Sequence, residues 1–341
     1  MIFGKKEAED PQKASSAIQV TSQESGQKLM GFLERRLLLP PTLLHRWIRT
    51  GQVRLNGSRT QPFVRLATGD SVRIPPFAGA LSKQAKAARE KQESRKPPVL
   101  SQRAATRPQE PQAAQPGRLE VLARDDEYMA IFKPAGLPTQ PGTGHVDAVT
   151  TRLRHMEPDA PFAPTPVHRL DRDTSGILLV ARTFQALRKA HEALQLRHGI
   201  HKEYLVWVHG VWPHDRDILL RHYMKKGQVG NQERMLVSSD PDQGQEALLV
   251  ARVVQRTEKY SLLLVRLLTG RTHQIRAQLA HEGFPVVGDG KYGTQGSKDG
   301  HLLLHATRLC LPDGRVFTSL PRWKAPFAVD SLPDAIETIP H

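Results

Sequence analysis

The chain has 341 residues, of which 38% are hydrophobic, so it is long enough for two modest domains with packed cores. Its 49 lysines and arginines outnumber its 34 acidic residues, and the net charge of +15 favours a polyanionic partner such as a nucleic acid. No apolar run approaches the roughly 18 residues of a membrane span, and no apolar segment typical of a secretory signal follows the amino terminus.

The chain contains one cysteine, Cys310, within the apolar run 302–311. One cysteine can form neither an internal disulfide nor a cysteine-based zinc site, so we interpret it as a small buried hydrophobic residue. The lack of a disulfide framework predicts a reducing, cytoplasmic location.

The basic charge is concentrated in the first third of the chain. Residues 21–75 contain nine lysines and arginines against three acidic residues, and residues 78–118 contain nine against three again, so each stretch carries +6. Residues 1–20 balance at three against three, which leaves +3 for everything from residue 119 onward. We therefore expect the first third to supply much of the attraction to a polyanion.

The first 76 residues are predicted to comprise a disordered tail, 1–20, and a small domain, 21–76. A helix is predicted over 21–39, ending at Pro40-Pro41. Its apolar stripe consists of Leu29, Phe32, Leu33 and Leu37. A second, short helix should run through Arg49, with Thr42 as N-cap and Gly51 after its C-terminus. Two short strands follow, at 53–55 and 72–74, with a turn at Asn56-Gly57.

Residues 77–118 are predicted to form a flexible basic linker, because residues 78–118 contain no aromatic residue and no apolar periodicity. This linker could equally be a solubilising spacer or an arm that contacts phosphates. Residues 119–330 should form the main domain, and residues 331–341 a C-terminal tail. The strand candidates of the main domain are 119–122, 129–132, 176–181, 204–208, 247–254 and 262–268, and its helix candidates are 186–196 and 274–281. Such a pattern predicts an α+β fold with a largely antiparallel mixed sheet.

The stretch Val167 to Gly176 places polar, mixed-charge residues immediately before an apolar strand. Loops on a rigid sheet are common places for functional sites. Asp171 lies between Arg169 and Arg172, and neighbouring cations favour an ionised carboxylate that can act as nucleophile or base. From the residues alone, an ordinary ion-paired loop aspartate and a catalytic aspartate both fit this pattern.

Three further stretches combine polar residues with the end or the start of a strand or helix. In Thr269 to Arg276, a helix capped by Thr272 and the arginines Arg271 and Arg276 would suit an anion, although a capped surface helix explains the pattern too. Lys133 lies where a strand enters a turn, and Tyr204 near the start of a strand, where a half-buried structural tyrosine is common.

These four stretches, in this order, resemble the RluA-type pseudouridine synthases over residues 119–330. The sequence His168-Arg169-Leu170-Asp171-Arg172-Asp173-Thr174-Ser175-Gly176 carries the family's signature. The other matches are the family's K-P-x-G motif at 133–136, its K-x-Y motif at 202–204 and its T-G-R-T-H-Q-I-R motif at 269–276. Residues 21–76 resemble the αL-motif RNA-binding domain of a small-subunit ribosomal protein, through residues 51–57 and 69–76.

The resemblance implies an RNA pseudouridine synthase that isomerises specific uridines, with large-subunit (23S) ribosomal RNA as the expected substrate. Asp171 would attack or deprotonate the ribose of a flipped-out uridine, and Arg276 would pair with Asp171. Tyr204 would line the base and assist proton removal at its carbon 5. The residues expected to contact RNA or support the site are Arg169, Lys133, Arg271, Arg46, Arg49 and Arg54. No cofactor, metal, protein partner or membrane is expected, and the enzyme should act as a monomer.

Two other functions fit parts of this pattern. A glycosidase-like hydrolase would need a second, protonated carboxyl group beside Asp171, and Arg172 between Asp171 and Asp173 argues against one. A non-catalytic ribosome assembly factor on the same fold remains the main alternative. The presence of Asp171, Tyr204 and Arg276 favours the enzyme.

Overall fold

The computed structural model describes residues 17–84, 117–141, 147–196, 199–230, 232–293, 301–337 and 339. Most of the predicted tail 1–20 and of the predicted linker 77–118 lies outside these residues. The chain divides into two compact units. The first contains residues 17–84 with Pro158–Ala163 and Thr183–Gln185, and the second contains the remaining described residues.

The first unit packs two helices against a small antiparallel sheet. Its helices are α1 (Leu29–Leu37) and α2 (Pro41–Arg49), and its strands are β1 (Ala17–Gln19), β2 (Arg54–Leu55), β3 (Ser58–Arg59) and β4 (Ser71–Arg73), in the order β1-β4-β2-β3. The predicted apolar stripe of α1 is buried in the core of this unit. The helix begins later than predicted, because Ser22–Glu24 instead form a 3-10 turn held by a capping box from Thr21 to Glu24.

The second helix and the linker boundary require corrections. Helix α2 begins with Pro41 in its first turn, where the missing N–H costs nothing, so Thr42 lies inside the helix and is not its N-cap. Gly51 follows Thr50 with φ +73°, as predicted. Residues 78–84, placed in the linker by the sequence, are helical (α3), with Ala78 buried in the core of the first unit.

The second unit is built on an 11-stranded sheet, and the path through its main strands is β11-β10-β12-β13-β9-β14-β8-β6-β5. Its strands are β5 (Glu120–Arg124), β6 (Tyr128–Lys133), β7 (Thr165–Pro166), β8 (Ser175–Ala181), β9 (His201–His209), β10 (Ile218–Val229), β11 (Gln232–Ser238), β12 (Gln245–Arg256), β13 (Tyr260–Leu267), β14 (Leu304–Cys310) and β15 (Val316–Thr318). Its helices are α4 (Val149–Met156), α5 (Phe184–Gln195), whose first two residues are counted with the first unit, and α6 (Gln274–His281). Among the paired strands described, only β14 and β8 run parallel, so the predicted α+β class with a largely antiparallel mixed sheet is confirmed.

Strand pairing brings the separate motifs to one place in the sheet. Strand β14 lies between β8 and β9, and its Ala306 pairs with both Gly176 and Tyr204. Gly176 has φ +115°, and a Cβ there would lie 2.2 Å from the carbonyl oxygen of Ala306. Only glycine allows this close approach, which draws the loop before β8 towards Tyr204.

The sheet's apolar core lies around the strands that carry these motifs, and Tyr204 belongs to it. In the described part of the chain, no helix combines the length and apolar character needed to cross a membrane.

Candidate active site

A cavity of about 380 Å³ opens where the signature loop, the start of β9 and the β13–α6 connection meet. Its lining includes Arg169, Asp171, Lys202, Tyr204, Gly270, Arg271, His273 and Arg276. Three of the four stretches singled out in the sequence therefore line the same cavity. The fourth, around Lys133, contributes from beneath the signature loop.

Asp171 is held by an arginine distant in sequence. Its Oδ2 lies 3.2 Å from Nη1 of Arg276, and the predicted pair is therefore present. Arg172 instead binds Asp173, with Nε 3.0 Å from Oδ1, and Arg169 is exposed. The neighbours in sequence therefore do not hold Asp171 as expected, and α6 supplies the cation.

Arg276 is itself fixed by Asp289, which the sequence analysis did not identify. The Nε and Nη2 atoms of Arg276 each lie 2.8 Å from a carboxylate oxygen of Asp289, which is 1% exposed. Oδ1 of Asp289 also accepts the backbone N–H groups of Lys291 and Tyr292. Burial alone would raise the pKa of Asp289, but the hydrogen bonds and charge of Arg276, with the two amides, hold it below its usual value.

The ion pair with Asp289 also determines the ionisation of Arg276. Burial alone would lower the pKa of Arg276, but the hydrogen bonds and charge of Asp289, reinforced by Asp171, raise it above its usual value. Arg276 is therefore a permanent cation between two carboxylates, and the carboxylate of Asp289 is stabilised in its ionised form.

His273 occupies the N-cap position of α6 in the left-handed region, with φ +52°, so the prediction that Thr272 caps this helix is wrong. Its Nδ1 lies 3.1 Å from the hydroxyl of Tyr292, and its Nε2 lies 3.9 Å from Oδ2 of Asp171. Burial lowers the pKa of His273, and the charge of Asp171 offsets part of that effect. The strained backbone directs the ring towards Asp171 and Tyr292.

Tyr204 is 5% exposed and lines the cavity from β9. Burial, and secondarily the negative charge of Asp171, raises the pKa of its hydroxyl well above the usual range. Tyr204 is therefore protonated at rest and sensitive to the charge on Asp171.

Lys133 does not face the cavity as an RNA-binding residue, which corrects that assignment. Its side chain is fully buried, and Nζ donates to the carbonyl oxygens of Pro134, Leu137 and Arg172 at 2.9, 2.7 and 2.9 Å. Burial lowers the pKa of Lys133 to about 7, against the raising effect of Asp173 and Asp171. Three acceptors match the three N–H groups of an ammonium, so Lys133 ties the first motif to the signature loop.

The remaining predicted RNA contacts are distributed over both units. Arg271 lines the cavity, where its Nε donates to the carbonyl of Glu246 at 2.9 Å. In the first unit, Arg46 and Arg49 are exposed on α2. Arg54 is partly exposed and donates to the carbonyls of Gly51 and Gly57 at 3.4 and 3.2 Å. These positions leave basic side chains available at the surface of each unit.

A signal for Asp289 and Tyr292 was available in the sequence. Gly288-Asp289-Gly290 follows an apolar pair, Val286-Val287, and an aspartate between glycines is typical of a tight turn with a side-chain acceptor. The sequence of this turn does not reveal that Arg276 is the partner of Asp289, because Arg276 reaches the turn only in the folded chain. In the described ranges, no group of three or more histidine, cysteine, aspartate or glutamate side chains is arranged to hold a metal ion.

A family model described as RNA pseudouridylate synthase matches residues 127–281. A protein of Yersinia pestis named "Ribosomal large subunit pseudouridine synthase C" is 34% identical over 304 residues, which cover 86% of each chain. Its namesake in Haemophilus influenzae is 34% identical over 275 residues, covering 80% of this chain and 78% of the other.

The solved structure of "Human RNA Pseudouridylate Synthase Domain Containing 1" is similar in fold, with a TM-score of 0.52 and 23% identity over 62% of this chain and 86% of that chain. The chain belongs to the RNA pseudouridylate synthase family and is an isomerase, which confirms the prediction from the motifs. The likeness of residues 21–76 to an αL-motif domain stays a prediction.

Proposed function

We propose that this enzyme isomerises specific uridines of large-subunit ribosomal RNA, with Asp171 as the catalytic carboxylate. The observation that carries the catalytic assignment is the Asp171–Arg276 ion pair inside the cavity that Tyr204 also lines. The relatives named for the large ribosomal subunit cover this chain at 86%, which supports that substrate. The excess of basic residues supports binding to an RNA.

The reaction needs a carboxylate and a confined space more than it needs added groups. The target base leaves its stack and enters the cavity, where the bond between N1 and ribose C1′ breaks. The uracil turns, its carbon 5 bonds to C1′, the proton on carbon 5 is removed and N1 gains a proton. Asp171 acts on the ribose, either as nucleophile at C1′ or as base, and Arg276 holds its carboxylate in place.

Tyr204 assists the transfer of a proton from carbon 5 to N1: the phenol gives its proton to N1, and the resulting phenolate takes the proton from carbon 5. Its hydroxyl is protonated at rest, and the charge of Asp171 is one cause of its raised pKa. When Asp171 bonds to the ribose or takes a proton, that charge disappears and this part of the shift is lost. The first step therefore prepares Tyr204 to assist in the second.

RNA binding is shared between the two units in this proposal. Arg169 helps to hold the base out of its helix, and Arg271 contacts the RNA at the cavity. Arg46, Arg49 and Arg54 contact phosphates from the first unit. The enzyme works as a monomer in the cytoplasm.

The decisive experiment maps pseudouridines in ribosomal RNA from cells that lack the protein. Specific sites in the large-subunit RNA should lose the modification, and the wild-type gene should restore them while Asp171→Asn should not. If the large-subunit RNA kept all its pseudouridines while another RNA lost one, the proposed substrate would be wrong. Restoration by the Asp171→Asn variant would instead contradict the catalytic assignment.

A further inference from the structure

Two lysines lie at the site, Lys133 fully buried and Lys202 partly buried, and they differ in how their charge is satisfied. Lys133 donates to three carbonyl oxygens. Lys202 lines the cavity, and burial lowers the pKa of its ammonium. Among the described residues, no hydrogen bond or ion pair satisfies Nζ of Lys202. A partly desolvated cation without a partner is unfavourable, so this position calls for an anion that arrives from outside.

The position of Lys202 follows from strand geometry. Lys202 and Tyr204 are two residues apart on β9, so their side chains share one face of the sheet, while Glu203 between them points to the other face and pairs with Arg308. Tyr204 lies deep in the site beside Asp171, whereas Lys202 reaches the β13–α6 connection. A Cβ built on Gly270 would lie 3.7 Å from Nζ of Lys202. Gly270 is exposed, which places the ammonium towards the mouth of the cavity.

We propose that Lys202 binds the phosphodiester adjacent to the target uridine, and so holds the RNA backbone at the mouth while the base occupies the depth. The proposal rests on the activity of the enzyme on RNA. Gly270 leaves the backbone bare beside Nζ, where a phosphate could approach closely. Arg271, the next residue, is fixed by its bond to Glu246 and adds a second cation at the same edge. In RNA the negative charge lies on the phosphodiester linkages and not on the uracil base. The unpartnered ammonium of Lys202 therefore complements the RNA backbone.

The test uses a short RNA containing a uridine that the mapping experiment identifies as a target, whichever class of RNA it comes from. The linkage on each side of that uridine is replaced in turn by a neutral methylphosphonate. Single-turnover rates and affinities are measured for the wild type, Lys202→Met and Lys202→Arg. Lys259→Met, which removes an exposed lysine of the β12–β13 hairpin, serves as the control.

For the wild type, one neutral linkage should slow the reaction at subsaturating enzyme by about tenfold to a hundredfold, the usual size of a charge-assisted hydrogen bond. On the natural RNA, Lys202→Met should be slower than the wild type by a similar factor. On the RNA with the neutral linkage, its rate should fall little further. Lys202→Arg should keep most of the activity, and Lys259→Met all of it. The melting temperature of Lys202→Met should equal or exceed that of the wild type, because a partly buried charge without a partner has been removed.

Three results would overturn the proposal. One is an undiminished rate for Lys202→Met on the natural RNA. Another is that neutralising the linkage slows Lys202→Met as much as it slows the wild type. That result would mean that the phosphate has a different partner. The third is a lower melting temperature with equal loss on both RNAs, which would assign Lys202 to the protein's own structure. None of these results would bear on which RNA is the substrate, since the mapping decides that separately.

Discussion

Arg276 and Asp289 form a two-point ion pair, with Nε and Nη2 of the arginine each 2.8 Å from one carboxylate oxygen. This arrangement occupies one edge of the guanidinium and leaves Nη1 for Asp171. The carboxylate of Asp289 therefore positions Arg276, and Arg276 positions the carboxylate of Asp171. Asp289 has no direct contact with Asp171 in this arrangement, so we regard it as a positioning residue.

Asp171→Asn should abolish pseudouridine formation while leaving folding and RNA affinity near wild type, because the amide keeps the size of the side chain and removes its charge. Rates on a ribosomal RNA fragment and binding to the same fragment provide the measurement. Asp173→Asn is the matched control, since Asp173 pairs with Arg172 at the surface. Turnover of Asp171→Asn within tenfold of wild type would rule out Asp171 as the catalytic carboxylate.

Arg276→Ala should damage both stability and activity. It leaves the buried carboxylate of Asp289 without its cation, and breaking such a pair costs roughly 3–5 kcal/mol. Arg276→Lys retains the charge but cannot make three directed contacts, so it should recover stability in part and activity only weakly. Chemical denaturation and single-turnover kinetics measure the two effects. A normal melting temperature with normal activity in Arg276→Ala would show that the pair has no role.

Asp289→Asn should reduce the free energy of unfolding in a pH-dependent way. The pKa of Asp289 in the folded protein lies below its value in the unfolded chain, which is about 3.9. The contribution of Asp289 to the free energy of unfolding is therefore fully present above about pH 4. It is lost as the pH falls through the lower pKa of Asp289 in the folded state. The difference in stability between wild type and Asp289→Asn should be largest near neutral pH and shrink in acid.

Denaturation curves from pH 7 down to pH 3 test this expectation, with the exposed Asp126→Asn as the control. Activity gives the second readout: Asp289→Asn should lower the single-turnover rate with little change in RNA affinity, because it acts on Asp171 through Arg276. A stability difference that stayed constant over the whole range would mean that the carboxylate charge is not what stabilises the pair.

Replacing Arg46 and Arg49 together by alanine should weaken RNA binding and flatten its salt dependence. Both side chains are exposed on α2, and each phosphate contact contributes about 0.7–0.9 to the slope of log affinity against log salt. The slope should therefore fall by roughly 1.4 to 1.8 if both arginines contact phosphate. Arg188→Ala is the control, because Arg188 pairs with Glu192 on α5. Equal slopes for the variant and wild type would assign both arginines to a solvated surface.

The sequence alone determined most of the local structure and the family. Helix α6 has the bounds predicted for it, 274–281, because its apolar positions and the preceding polar loop are local signals. The motifs around Asp171, Tyr204 and Arg276 were recognisable because residue type and short spacing define them. Errors arose where two local signals competed, as at α2, where Pro41 and Thr42 both suit a helix start and the proline begins the helix.

Only the tertiary structure decided which charges meet. In the chain, Arg172 is the neighbour of Asp171, yet it binds Asp173, while Arg276 arrives from 105 residues away. Asp289 joins the site because strand pairing and the turn after Val287 bring it to Arg276, and Lys133 turns inward because three carbonyls converge on it. Periodicity and composition are local properties of a chain, whereas an ion pair depends on distances that exist only after long-range packing. That is why the residues alone pointed to Asp171, its partner Arg276 came only from the family resemblance, and Asp289, which holds Arg276, was missed.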